Sequence, residues 1–168
     1  MAAGATYEKI QSTTLTSDTP AIEFATIPAT YTDLKISLIG GQSATLNDSF
    51  MIRFNGDSGT NYTSSYMTTD GSTATGGCSR DSNAIINMGD LGGTAIESFL
   101  DININSYAQT NRHKSVLTYY TSVQRNRALL SLGLWRNNNA IHTIKLMFSG
   151  SDNFKSGSVA TLYGIAAA

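Results

Sequence analysis

Apolar side chains recur at every second position in five separated stretches of this chain. Ile22 and Phe24 flank Glu23, and Leu34, Ile36 and Leu38 alternate with Asp33, Lys35 and Ser37. Phe50, Ile52 and Phe54 form a third set, Leu100, Ile102 and Ile104 a fourth, and Ile144, Leu146 and Phe148 a fifth. A period of two places one set of side chains on each face of a strand, whereas a helix would need a period near 3.6. Residues 115–123 and 128–135 are more continuously apolar, β-branched or aromatic, which predicts central strands covered on both faces. Turn signals such as Asn55-Gly56-Asp57, Gly92-Gly93, Gln109-Thr110-Asn111, Asn137-Asn138-Asn139 and Ser149-Gly150-Ser151 separate these runs. Strands at such spacing predict an all-β antiparallel β-sandwich of about nine to eleven strands. One short helical turn is the most that residues 91–99 are expected to hold.

A chain of 168 residues is long enough to bury a core as one domain, so residues 1–168 are read as a single β-sandwich. The longest stretch without pattern is residues 68–83, containing Asp70-Gly71-Ser72 and Gly76-Gly77-Cys78. It is expected to be a long loop or arm, either loose on the surface or ordered against a neighbouring subunit.

Only 14% of the residues are charged, while Ser, Thr and Asn number 20, 21 and 13. The surface is therefore wetted mainly by hydroxyls and amides, which hydrogen-bond in either direction and lose water more cheaply than Lys or Glu. The single Cys78 excludes an internal disulfide and a cysteine zinc site. No apolar run approaches a membrane span. The opening Met1-Ala2-Ala3-Gly4-Ala5 has neither the basic flank nor the apolar core of a secretory signal, so synthesis in the producer's cytoplasm is expected. The net charge of −1 conceals a split: residues 1–101 carry 11 acids and 4 bases, and residues 102–151 carry 6 bases and no acid. In an antiparallel meander, Arg112, His113, Lys114 and Arg136 fall at one end of the sheet and Arg125 and Arg127 at the other. A pI near 6.0 and the lack of a concentrated basic patch argue against nucleic acid. The expected use of the split is basic edges of one copy facing acidic edges of another.

The one enzyme-like string is Gly56-Asp57-Ser58-Gly59. A chymotrypsin-like serine needs its histidine earlier in the chain, and both histidines, His113 and His142, come later. The preceding Asn55 makes an Asn-Gly turn the better reading. Two histidines and one cysteine give no zinc spacing. Asp48, Asp57, Asp70 and Asp81 start no calcium-loop motif; Asx turns are the expected role, and a shared ion the remaining alternative. Glu8, Glu23 and Glu97 are poorly placed for a glycosidase pair. No phosphate loop is present. The chain is thus expected not to be an enzyme, with no catalytic, cofactor-binding or metal residue assigned and no cofactor.

Several segments resemble small virion structural proteins of tailed bacteriophages, cyanophages among them. They are Tyr7-Glu8-Lys9-Ile10, Ala21-Ile22-Glu23-Phe24, Ile27-Pro28-Ala29-Thr30-Tyr31-Thr32-Asp33-Leu34-Lys35-Ile36, Ile52-Arg53-Phe54-Asn55-Gly56-Asp57-Ser58-Gly59-Thr60-Asn61-Tyr62, and Gly157-Ser158-Val159-Ala160-Thr161-Leu162-Tyr163-Gly164-Ile165. They bracket nearly the whole chain, while residues 70–125 carry no matching motif. The resemblance implies a jelly-roll-like sandwich located in the virion. Two roles follow from it: a capsid decoration (cement) protein on the outside of the assembled head, or a tail-fibre or receptor-binding tip. The absence of a heptad stalk, a collagen-like repeat and a long attachment region favours the cement role. Expected partners are then the major capsid protein and further copies of this chain, with a homotrimer favoured, and neither nucleic acid nor membrane.

Overall fold

The structure, a computed structural model, describes residues 6–44, 48–91, 93–96 and 98–166. The opening residues 1–5, Gly92 of the Gly-Gly turn, and Glu97 lie outside that set. Eleven strands follow in order: β1 (Tyr7–Thr14), β2 (Ala21–Phe24), β3 (Asp33–Gly40), β4 (Phe50–Phe54), β5 (Tyr62–Thr69), β6 (Ala74–Ser82), β7 (Ser98–Asn105), β8 (Lys114–Ser122), β9 (Arg127–Trp135), β10 (Ile144–Phe148) and β11 (Val159–Ile165). There is no helix among the described residues, including those of the 91–99 segment.

All pairings are antiparallel. One sheet has eight strands in the order β1-β11-β3-β7-β8-β9-β5-β6, and the other has three in the order β2-β10-β4. The chain passes from one sheet to the other at each step from β1 through β4, and again from β9 through β10 to β11. This crossing between two sheets is the jelly-roll-like element of the sandwich. The large sheet then continues beyond β7 through a β7-β8-β9 meander, with the β5–β6 hairpin added at its far side.

The alternating residues fill the space between the sheets. Leu34, Ile36 and Leu38 of β3, Leu100, Ile102 and Ile104 of β7, and Ile52, Phe54, Ile144 and Leu146 of the small sheet are all fully buried in one core. Two aromatic groups anchor its ends. Phe148 lies 4.7 Å from Phe154 and 6.2 Å from Phe50, edge-on to the latter. At the other end Trp135 stacks on Tyr62 at 6.2 Å and sits 5.5 Å from Phe54, joining the two sheets. Such pairs add to the burial of large apolar areas.

Two sequence expectations need correction. Residues 68–83 are not an unpatterned loop: they form most of the β5–β6 hairpin. Asp70 closes its tip, its Oδ1 accepting from the Ser72 and Thr73 amides at 3.0 and 2.8 Å. The hairpin escapes periodicity because β6 is an edge strand with no buried side chain, so its order comes from backbone pairing with β5. Likewise β8 and β9 are not covered on both faces. Val116, Thr118 and Tyr120 point into the core, but Tyr119, Leu130 and Leu132 are exposed on the other side.

Candidate functional site

The uncovered side of the large sheet follows from strand register. Because neighbouring strands pair residue to residue, outward side chains line up in rows across the sheet. One row runs Asp101, Tyr119, Leu130, Met67, Gly76 across β7, β8, β9, β5 and β6. The next runs Asn103, Leu117, Leu132, Ser65, Cys78. Met67 is 69% exposed, Leu132 56% and Tyr119 51%. Between Tyr119, Leu130, Met67 and Gly76 lies an open groove of about 630 Å³. Scattered single apolar residues are ordinary on a surface, whereas large contiguous apolar patches are typical of interaction sites.

The face grades from apolar to polar. On the β3 side, Lys35 Nζ pairs with Asp101 at 2.8 Å and lies 5.5 Å from the Tyr7 ring centre. The hydrogen bond to Asp101 raises the Lys35 pKa against the smaller opposing effect of burial. The apolar patch is thus bounded on one side by an ion pair and on the other by the small residues of β6.

The basic clusters lie where the meander predicts. Lys114 is paired with Trp135, next to Arg136, at one end, and Arg125 and Arg127 flank the β8–β9 turn at the other. Their charges, however, are met inside the chain. Asp90 is 3.3 Å from Arg125 and 2.9 Å from Arg127, and it also accepts from the Tyr120 hydroxyl. Arg136 pairs with Asp81. Lys114 is fully buried, its Nζ donating to the carbonyls of Arg112, Asn137 and Asn138 at 2.7, 3.4 and 3.1 Å. Burial, reinforced by Arg112, lowers its pKa. Arg125, Arg127 and Arg136 thus meet acids of the first half within the same chain, while Lys114 is met by carbonyls.

Gly56-Asp57-Ser58-Gly59 is a turn. Asn55 and Gly56 have φ of 52° and 66°, and the Asp57 amide donates to the Phe54 carbonyl at 2.9 Å. It carries the chain from β4 of the small sheet to β5 of the large one, so it closes no hairpin of paired strands. Ser58 is exposed, and Asp57 is committed elsewhere: its carboxylate accepts from Gly59 N, Asn61 Nδ2 and Trp135 Nε1. Burial pushes the Asp57 carboxyl up, but hydrogen bonds from Trp135, Gly59, Asn61 and Asn137 together hold it below the usual range. His113 and His142 are both exposed, one just before β8 and the other just before β10.

The four loop aspartates do not meet on one ion. Asp57 and Asp70 close local turns, Asp81 pairs with Arg136, and Asp48 lies against the β10–β11 connection, where its Oδ2 accepts from Asp152 N at 3.1 Å. Among the described residues no group of three or more His, Cys, Asp or Glu comes together.

The apolar face was missed in the sequence for a specific reason. A strand with apolar residues on both sides reads as doubly covered, and only the fold shows that one cover is missing. No protein-family model and no curated protein matches the chain. Among solved structures, a protein of unknown function from Shewanella oneidensis MR-1 aligns at 9% identity and a TM-score of 0.22, over 100% of this chain and 82% of that one. A likeness at that level carries no conclusion about fold or function.

Proposed function

We propose that this protein is a structural, adhesive component of a bacteriophage virion: a capsid decoration protein whose copies associate through the open face of the large sheet and bind the outside of the assembled head. The observation that carries the adhesive part is the composition of β8 and β9. Their sequences are those of doubly covered strands, and a single chain covers only one side. The cover proposed for the other side is a second copy of the same chain. The Tyr119, Leu130, Leu132 and Met67 patch is without charge, so like surfaces meet there without burying an unpaired ion. Burying each half-exposed apolar side chain contributes roughly 1–2 kcal/mol, so several together reach the lower end of the cost of association. A homotrimer is the assembly proposed, with the major capsid protein as the further partner.

The virion location rests on the resemblance of the strand and turn segments described above and on the jelly-roll-like fold. Shell stabilisation then follows by mass action, since a ligand that binds only the assembled lattice adds about 4 kcal/mol per site at a thousandfold excess over its Kd.

The test is to add the purified chain, and its Leu132→Asp variant, to expanded phage heads lacking it. The wild-type chain is expected to sediment as an oligomer, bind heads in hundreds of copies and raise their heat resistance. The variant is expected to remain monomeric and bind poorly. Binding to host cells or glycans, with no effect on heads, would overturn the decoration role in favour of a tail tip.

A further inference from the structure

The loops after β3 and after β10 bring together three oxygen-bearing side chains that no part of the adhesive reading uses. Gln42 is fully buried, and its backbone amide donates to the Gly93 carbonyl at 2.8 Å. Its side-chain Nε2 donates to the Asp48 carbonyl in a long contact of 3.4 Å. The Oε1 of that head is buried without a hydrogen-bond partner. Asp152 is 4% exposed. Its Oδ1 takes three donors, Ser43 Oγ at 3.0 Å, Ala44 N at 3.1 Å and Asn153 N at 2.8 Å. Its Oδ2 is buried and takes none. The Asp48 carboxylate joins this group, with Oδ2 on the Asp152 amide at 3.1 Å and the whole head packed against the Gly150 α-carbon.

The imbalance is electrostatic as well as geometric. Among the described residues neither Asp48 nor Asp152 has a Lys, Arg or His within ion-pair distance. A buried carboxylate oxygen with neither donor nor counter-charge is costly, and an unpaired amide oxygen adjacent to the same loop adds to the cost. A water molecule supplies two protons but no charge. A hard divalent cation supplies charge to both carboxylates and takes the amide oxygen directly. Three side-chain oxygens of this kind, with backbone carbonyls and water completing the shell, are the ligand chemistry of calcium.

We propose that Gln42, Asp48 and Asp152 form a calcium site that clasps the β3–β4 loop to the β10–β11 loop. Gln42 contributes Oε1, Asp152 contributes Oδ2, and Asp48 contributes its carboxylate. The ion then locks the segment beside the Phe50, Phe148 and Phe154 ring cluster.

The experiment is calorimetric titration of calcium chloride into the full chain after chelator treatment, with thermal melting in parallel. The expected result is binding at one site with a Kd of about 1 mM or tighter, the range of extracellular calcium modules, and a rise in Tm. Asp152→Asn and Asp48→Asn are each expected to weaken calcium binding at least tenfold. Both keep an acceptor oxygen in place, so they preserve the local hydrogen bonds. Absence of heat and of a Tm shift for the wild-type chain overturns the site, and that measurement depends on no variant. An equal Tm rise with magnesium, or an unchanged calcium response in both variants, overturns it too.

Discussion

Trp135 donates its indole N–H to Asp57 at 2.8 Å, so a buried ring of the large sheet is tied to the turn that leaves the small one. The same carboxylate accepts from Gly59 and Asn61, and Tyr62 beneath it accepts from the Phe54 amide at 3.1 Å. Asp57→Ala removes the partner of a buried donor and frees the turn. It is expected to lower unfolding stability by about 1–3 kcal/mol, measured by urea titration followed through the single tryptophan. Trp135→Phe is expected to cost less at this bond, because Asp57 keeps its other donors.

The pH limits of stability are set by different groups on the two sides. Hydrogen bonds from Thr73 and Ser72 lower the Asp70 pKa from 3.8 to about 2. A carboxyl depressed in the folded chain adds stability above its unfolded value and loses it as pH falls from 3.8 toward 2. Burial raises Tyr62 and Tyr120 from 10.0 to about 12, with Asp90 adding to the effect at Tyr120. A phenol raised in the folded chain stabilises below pH 10 and loses that contribution as pH climbs through 12. Each buried tyrosine is worth on the order of 2–3 kcal/mol, whereas Asp70, exposed at the hairpin tip, sets only the direction of the acid limb. Melting temperature against pH should therefore fall at both extremes, and Tyr120→Phe should flatten the alkaline limb.

Gly133 faces Ile85 across the core. A β-carbon there would meet the Ile85 Cδ1 and Cγ2 at 2.6 Å. Gly133→Ala overpacks the site and is expected to cost about 1–3 kcal/mol. Pairing it with Ile85→Ala removes all three atoms the new β-carbon would meet, so the double variant should be more stable than the sum of the two single losses predicts. A chemical-denaturation cycle of the four proteins measures that coupling.

Met67→Asp and Leu132→Asp place a carboxylate on the open sheet face. Both side chains lie more than half in solvent, so each change should move monomer stability by no more than about 0.5 kcal/mol. Sedimentation equilibrium should show association weakened at least tenfold in either variant if the face joins copies. Unaltered association would remove that face from the proposal.

Asp90 holds Arg125 and Arg127 beside the β8–β9 turn. Asp90→Asn leaves two guanidinium groups with a neutral partner and removes a half-buried ion pair. A loss of about 1–3 kcal/mol is expected. It should be accompanied by faster amide exchange at the turn around Asn126, whose φ is 47°.

Period-two alternation was enough to locate β2, β3, β4, β7 and β10, since in each every second side chain is buried in the core, although Met51 on the other side of β4 is buried too. The Asn55-Gly56 turn was equally legible, because both positions need positive φ. The β6 strand was not, as an edge strand without buried side chains leaves no periodic trace. Sheet order also lies beyond periodicity: nothing in the residues of β5 says that it pairs with β9 rather than with β4, its neighbour in sequence. The open apolar face depends on that order. So does the meeting of Asp48 with Asp152, which are joined only because the loops after β3 and β10 lie side by side.

Among the described residues the β1 strand pairs with β11 alone, at the margin of the large sheet. During translation β1 therefore emerges long before β11, its backbone partner among the described residues. It must wait, without that partner, until β11 has been made. Closing this margin of the sheet joins segments from opposite ends of the domain, and a message truncated ahead of β11 yields a chain whose first strand lacks the neighbour it is built to meet.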